Sequence, residues 1–273
     1  MSAEIIELLP MALVLLGIGA FAGVIGGLLG VGGGIVLVPA FFYAFQSLGF
    51  HGDHLMQVCV GTSLATIVVT SIRSVNGHHA KGAVDWAVLR RWGPGLVIGA
   101  GLGVLVAAQV KSLVLQAIFG GLAGLAGLYM AFGRDHWRLG AAMPGVAGAG
   151  GLSATVGFFS ALMGIGGGTF GVPLMSLFSM KIHRAVGTAS GFGILIAVPA
   201  VIGFLLMPVE GAPPFSIGAV NLPAFGIVIG STLVTTPWGV GLAHKMDPKP
   251  LKRAFAVFLT LVALNMLRKV FFA

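Results

Sequence analysis

Ten apolar runs fill most of this chain, near residues 8–29, 35–50, 56–75, 93–110, 112–132, 146–163, 169–180, 186–206, 222–243 and 253–272. A run of about 20 apolar residues is long enough to cross a bilayer. Only 8 % of the 273 residues are charged, against about 25 % in soluble domains, which need that charge to wet their surface. A soluble enzyme is therefore excluded. Helices satisfy their own backbone in lipid, so the expected fold is an all-α polytopic membrane protein.

Two of the runs, 35–50 and 169–180, are short for a span, and each directly follows a glycine cluster: Gly30-Val31-Gly32-Gly33-Gly34 and Gly164-Ile165-Gly166-Gly167-Gly168. The matches extend further. GVGGGIVLVP (30–39) aligns with GIGGGTFGVP (164–173) at an offset of 134, and VGTSL (60–64) with VGTAS (186–190) at an offset of 126. GAVDW (82–86) echoes GAVNL (218–222). Matched words in the same order indicate duplication. The chain divides into two repeats, 1–140 and 141–273, forming one membrane domain. Each opens with a glycine-broken helix pair, either re-entrant or fully spanning, and continues with three transmembrane helices.

Loop charge supplies the orientation. If each opening pair goes in and returns, each half crosses an odd number of times and the second is inverted. Arg73, Lys81, Arg90, Arg91, Arg134, Arg138, Lys181, Arg184, Lys245, Lys249, Lys252 and Arg253 then share one side, and Lys111, Arg268 and Lys269 the other. The positive-inside rule makes the richer side cytoplasmic. The expected location is a bacterial inner membrane, with both termini on the periplasmic or extracellular side. The formal charge of +8 is thus a topology signal, and no basic helix with interleaved aromatics points to nucleic acid. Glu4 and Glu7 replace the basic residues of a signal peptide, so the first segment is expected to be retained. Cys59 is single, which rules out an intramolecular disulfide framework. Apolar faces all round leave a homo-oligomer possible.

Inverted repeats with discontinuous helices are a construction plan of secondary transporters. At a break, the first amides of the next helix lack intrahelical partners, glycine lets a ligand approach the main chain, and the positive helix end suits an anion. Two breaks facing each other across a small cavity would bind a small anionic substrate through Gly32, Gly33, Gly34, Gly166, Gly167 and Gly168. The alternative is that these glycines serve close packing alone. Thr62, Ser63, Thr188 and Ser190 put hydroxyls early in the third segment of each half, and Thr169 directly follows the second break. Such hydroxyls either donate to an oxyanion or bond the preceding turn. His183 and Arg184, with Gln57 at the matching first-half position, and Arg73 are candidates for attracting or gating anions; the alternative is a topology anchor. His78 and His79 are expected in a cytoplasmic loop, without Cys or carboxylate at ligand spacing, so neither a metal nor a cofactor is expected.

No Asp or Glu falls inside the ten runs. Proton- and sodium-coupled carriers commonly bury a carboxylate, so this pattern favours facilitated flux, exchange, or coupling through carbonyls. HExxH, GxSxG and P-loop motifs are missing, so an enzyme is not expected.

GVGGGIVLVP, VGTSL, the HxxKGAVDW stretch, GIGGGTFGVP and HRAVGTAS together resemble the sulfite exporter TauE/SafE family of permeases, also described as the 4-toluene sulfonate uptake permease family. The resemblance covers nearly the whole chain. It implies transport of sulfur-containing anions such as sulfite, sulfonates, sulfoacetate or thiosulfate-like compounds. It places anion contacts around Gly32 to Gly34, Gly166 to Gly168, Thr62, Ser63 and Thr188. Asn221-Leu222 departs from the Asp85-Trp86 of the first half. The rival functions are a carrier of a carboxylate or other non-sulfur ligand, and a non-transporting scaffold or assembly partner.

Overall fold

The computed structural model describes residues 2–133, 138–246 and 248–271. Arg134, Asp135 and Asp247 lie outside the described residues, as do the side chains of Glu4, Glu7, Lys249, Lys252 and Arg253. The described residues form α1 (Ser2–Leu29), α2 (Gly34–Ser47), α3 (Leu55–His79), α4 (Trp86–Gln109), α5 (Ser112–Phe132), α6 (Val146–Met163), α7 (Gly168–Leu177), α8 (Ile182–Leu206), α9 (Leu222–Ala243) and α10 (Pro248–Phe271). A short antiparallel hairpin, β1 (Ser216–Ile217) and β2 (Val220–Asn221), precedes α9. Six helical stretches among the described residues are long and apolar enough to cross a membrane. The fold is an all-α polytopic membrane protein.

Three helices outrun their apolar windows. The α4 helix begins at Trp86 instead of near 93, because the Asp85 carboxylate accepts from the Ala87 and Val88 amides, both at 3.1 Å, and an N-cap of this kind starts a helix. Arg90 and Arg91 therefore lie exposed on helix, not in a loop. The α8 helix begins at Ile182 rather than near 186. The α3 helix continues to His79, and His78 is fully buried on it. That corrects the loop expected for His78: hydropathy falls after Val75, yet neighbouring helices cover the His78 face of the next turn, while Asn76 and His79 stay exposed.

Both opening pairs are hairpins. A Cβ on Gly33 would meet the Ala22 carbonyl, so the chain folds back on α1 after the break. The Leu139 amide donates to the Leu177 carbonyl at 2.8 Å, joining the approach to α6 with the end of α7. At 1.5 Å per residue, α2 and α7 measure about 21 and 15 Å, short of the roughly 30 Å hydrocarbon core.

Packing obeys an exchange between the halves. The α1 helix packs on α9 and α6 on α4; α3 packs on both α8 and α9, α8 on both α3 and α4; α5 pairs with α10. The buried end of α3 at His78 meets His183 at the start of α8 through His244, so the two third helices run antiparallel. The α3 helix is the axis of the molecule: 83 % of an 18-residue apolar stretch of it is buried, against 33–50 % of the corresponding stretches in the other five spans. Large apolar side chains such as Leu105, Leu125, Val234 and Leu261 point outward, as a lipid-facing surface requires.

Candidate functional site

The two glycine breaks meet at the middle of α3, the first against Ile67–Ser71 and the second against Val60–Ser63. The chain turns through left-handed backbone at Gly32 and Gly33, with φ of 73° and 79°, a region glycine enters without steric cost. The breaks touch main chain to main chain. The Gly166 amide donates to the Val31 carbonyl at 3.1 Å. A Cβ on Gly34 would strike the Gly164 carbonyl, and one on Gly168 the Gly30 carbonyl. No side chain caps α2 or α7, so the positive ends of both helices point into this junction.

The hydroxyls of the VGT words have intramolecular partners. The Asp85 amide donates to Thr188 Oγ1 and the Asn221 amide to Thr62 Oγ1, each at 2.9 Å. One residue earlier, Gly187 lies against the Ala83 carbonyl and Gly61 against the Ala219 carbonyl, so closely that neither has room for a Cβ. The Ala83 amide donates to the His78 carbonyl at 3.0 Å and the Ala219 amide to the Phe204 carbonyl at 2.8 Å. Each GAV(D/N) loop is thus docked onto the VGT helix of the opposite half. Thr62 and Thr188 accept in these bonds and keep their own protons to donate. Ser63 Oγ donates to the Gly164 carbonyl at 2.7 Å, tying α3 to the second break, and Ser190 Oγ donates to the Gly187 carbonyl at 2.6 Å.

Three of the buried donors left over lie beside the second break in sequence or are linked to it by packing. Thr169 Oγ1, in the first turn of α7, and Ser160 Oγ, one turn before Gly164, are buried without a partner. So is the indole Nε1 of Trp92, whose ring stacks on Phe192 at 5.6 Å and 11°. Phe192 in turn packs on Gly167. Buried polar groups are nearly always satisfied, so unspent donors at a helix break mark a place for an acceptor. Sequence reasoning singled out Thr169 but missed Trp92 and Ser160. A tryptophan at the edge of an apolar span, whose N–H can only donate, was the available signal.

The remaining candidates sit at the two ends. At the Arg- and Lys-rich end, Arg184 pairs with Asp85 at 3.0 Å, and His183 is exposed and stacks on His244 at 5.8 Å. Partial burial, Lys81 and His183 hold the His244 pKa below its usual value. Arg73 is exposed on α3. Gln57 stands at the other end, where its Nε2 donates to the Ala107 and Val110 carbonyls at 3.1 and 2.6 Å. A cleft of about 800 Å³ opens at that end and carries Lys111, Arg268 and Lys269. Lys269 Nζ lies 2.5 Å from Gln46 Oε1 and 4.5 Å from the Tyr43 ring centroid. Among the described residues no group of three or more His, Cys, Asp or Glu is placed to hold a metal.

Comparison with known proteins finds relatives described as probable membrane transporters. A probable membrane transporter protein of Haemophilus influenzae is 30 % identical, covering 92 % of this chain and 96 % of its own. Probable membrane transporter proteins of Methanocaldococcus jannaschii (27 % identical, 97 % of both chains) and Bacillus subtilis (26 % identical, 93 % and 96 %) also match end to end. No solved structure matches. The sulfite exporter TauE/SafE family matches residues 15–266, nearly all of the hairpin-and-dock architecture described above, and this chain belongs to that family of membrane transporters.

Proposed function

We propose that the chain is a permease for a small sulfur-containing anion, sulfite or an organosulfonate, working by alternating access between two inverted repeats, 1–140 and 141–273. One observation carries the reading: Thr169, Ser160 and Trp92 offer buried donors without acceptors near a break where two uncapped helix ends converge. Donors and positive helix ends in a low-dielectric interior select an anion. The direct contact of the breaks makes this an occluded arrangement, and transport parts them alternately toward either end. The cleft bearing Lys111, Arg268 and Lys269 is the outer vestibule, and the Arg- and Lys-rich end faces the cytoplasm of the inner membrane with both termini outside.

Sulfite, thiosulfate, methanesulfonate and acetate compared in binding and proteoliposome flux test the proposal, with Thr169→Val and Trp92→Phe alongside wild type. A hydrogen bond to a charged group is worth about 1.5–3 kcal/mol, so each variant weakens binding of the preferred anion at least about tenfold. Thr169→Val leaves stability within about 0.5 kcal/mol, because its hydroxyl has no partner to lose. Sulfur-anion binding unchanged in both variants overturns the site. Preference for acetate moves the substrate to carboxylates, and binding of none of the four leaves the scaffold reading.

A further inference from the structure

The charge split that orients the chain leaves Lys111, Arg268 and Lys269 on the side poor in Lys and Arg, and the structure brings all three to one cleft. They come from opposite halves of the sequence. Lys111 immediately precedes α5, and the other two lie in the last turn of α10. The two helices are tied beside the cleft, where Gln116 Nε2 donates to the Met266 carbonyl at 3.1 Å. Cations that only anchor helices at an interface have no reason to converge, because like charges repel.

That charge is not neutralised in place. Among the described residues lining the cleft, Asp53 supplies the one carboxylate. It stands 3.9 Å from Lys111, with both side chains at least 75 % exposed, so water screens the pair. Lys269 donates to Gln46 Oε1 and lies 4.5 Å from the centroid of the Tyr43 ring, and both of these partners are neutral. Further donors stand close by. Tyr43 Oη is buried without a partner. Ser112 Oγ, in the cleft wall, accepts from the Met56 amide at 2.9 Å and keeps its own proton.

Shape narrows the ligand. A volume of about 800 Å³ falls in the range of pockets that hold organic ligands, about 300–1,000 Å³. Phe42, Leu55 and Leu113 give the cleft an apolar wall beside its cations. Leu113 is exposed, and so is Val114 after it, so the cleft also opens along the lipid-facing surface of α5. Gln46 lies about 18 Å along α2 from Gly34, which sets the cleft apart from the junction of the breaks.

We propose that this cleft is a second anion-binding site, taking a tetrahedral oxyanion, a sulfonate or phosphate ester, that carries an apolar group. The Arg268 guanidinium and the Lys111 and Lys269 ammoniums hold the oxyanion head through charge-assisted bonds. The wall of Phe42, Leu55 and Leu113 takes the apolar part. A dissolved organic anion and the phosphodiester headgroup of an anionic phospholipid both present this chemistry. The inference goes beyond the permease reading and takes from it only the orientation of the two ends.

The test places the full chain in phosphatidylcholine nanodiscs and titrates it with hexanesulfonate, hexyl phosphate and methanesulfonate. Wild type binds the hexyl compounds at least about tenfold more tightly than methanesulfonate, because the added methylenes leave water. Arg268→Gln/Lys269→Gln weakens them at least about tenfold. Lys111→Gln, a change at an exposed side chain, weakens the same ligands several-fold in a chain that melts as wild type does. A second arm adds phosphatidylglycerol to the nanodiscs and counts the lipid retained by native mass spectrometry; the double variant retains at least about tenfold less. Weakening of one ligand class alone names the source and upholds the site. Neither class bound, neither weakened in the double variant, or methanesulfonate held as tightly as hexanesulfonate overturns the inference. A loss in Trp92→Phe with none in the double variant places the bound anion at the junction and overturns it too. Binding in the cleft of a chain that transports none of the four anions named above overturns the permease reading instead and leaves this site standing.

Discussion

At one end of the molecule Ala83 and Asp85 present a carbonyl and an amide to Gly187 and Thr188; at the other, Ala219 and Asn221 present the same pair to Gly61 and Thr62. The backbone geometry is repeated while the surrounding chemistry is not. Around the first dock stand Asp85, Arg184 and His78; the aligned positions around the second are Asn221, Val58 and Phe204. Asn221 still caps its helix, accepting from the Ala224 amide at 3.0 Å. The backbone contacts that hold the two docks are the same, while the charged groups beside them differ between the two ends.

The glycines give the largest expected effect. A methyl at Gly61 or Gly187 runs first into a backbone carbonyl, which cannot swing aside as a side chain would, and overpacking of that kind costs about 3 kcal/mol. Gly61→Ala and Gly187→Ala should each lower stability in detergent by about that amount, measured by denaturation of the purified protein. Equal losses support two equivalent docks. A loss in one variant alone breaks the comparison, since the symmetry would then be geometric without being energetic.

The threonines come next. Thr62→Val and Thr188→Val keep the shape and leave the Asn221 or Asp85 amide without its acceptor. An unsatisfied buried group costs about 1–3 kcal/mol. Thr62→Val should cost more than Thr188→Val, because Asn221 is buried at 3 % exposure whereas the Asp85 amide bond is only part-buried. The same denaturation series checks the order, and the reverse order would mean that these hydroxyls answer to something other than the docks.

Much of this architecture was legible as words and little of it as contacts. VGTSL, VGTAS, GAVDW and GAVNL stand out as matched words, but nothing in the spacing of Thr62 and Asn221 says that they bond across 159 residues. The sequence leaves the hydroxyls between ligand donors and intramolecular bonds, because residue type carries no record of what lies opposite. Hydropathy placed the spans yet misjudged their ends, since it reports contact with lipid, whereas Asp85 starts α4 by a capping bond and packing carries α3 through His78. That histidine continues the four-residue register of Thr70 and Ser74, which was present in the sequence and overruled by its polarity. The glycine breaks were visible as breaks; their direct contact was not, because it depends on how two distant hairpins meet.

The smallest expected effect isolates the charge. Asp85→Asn makes the first dock resemble the second: an asparagine remains to cap the helix, as Asn221 does, and the Thr188 bond is untouched because it uses the backbone amide. What disappears is the pair with Arg184, whose side chain is 59 % exposed, and solvent-screened pairs are worth about 0–1 kcal/mol. The variant should therefore lose no more than about 0.5 kcal/mol, and raising the salt concentration should shrink even that difference. A loss of several kcal/mol would show that this end depends on its ion pair as the Asn221 end does not. The two docks would then be different devices built on one backbone plan, and the freedom of the charged groups to diverge would belong to the Asn221 end alone.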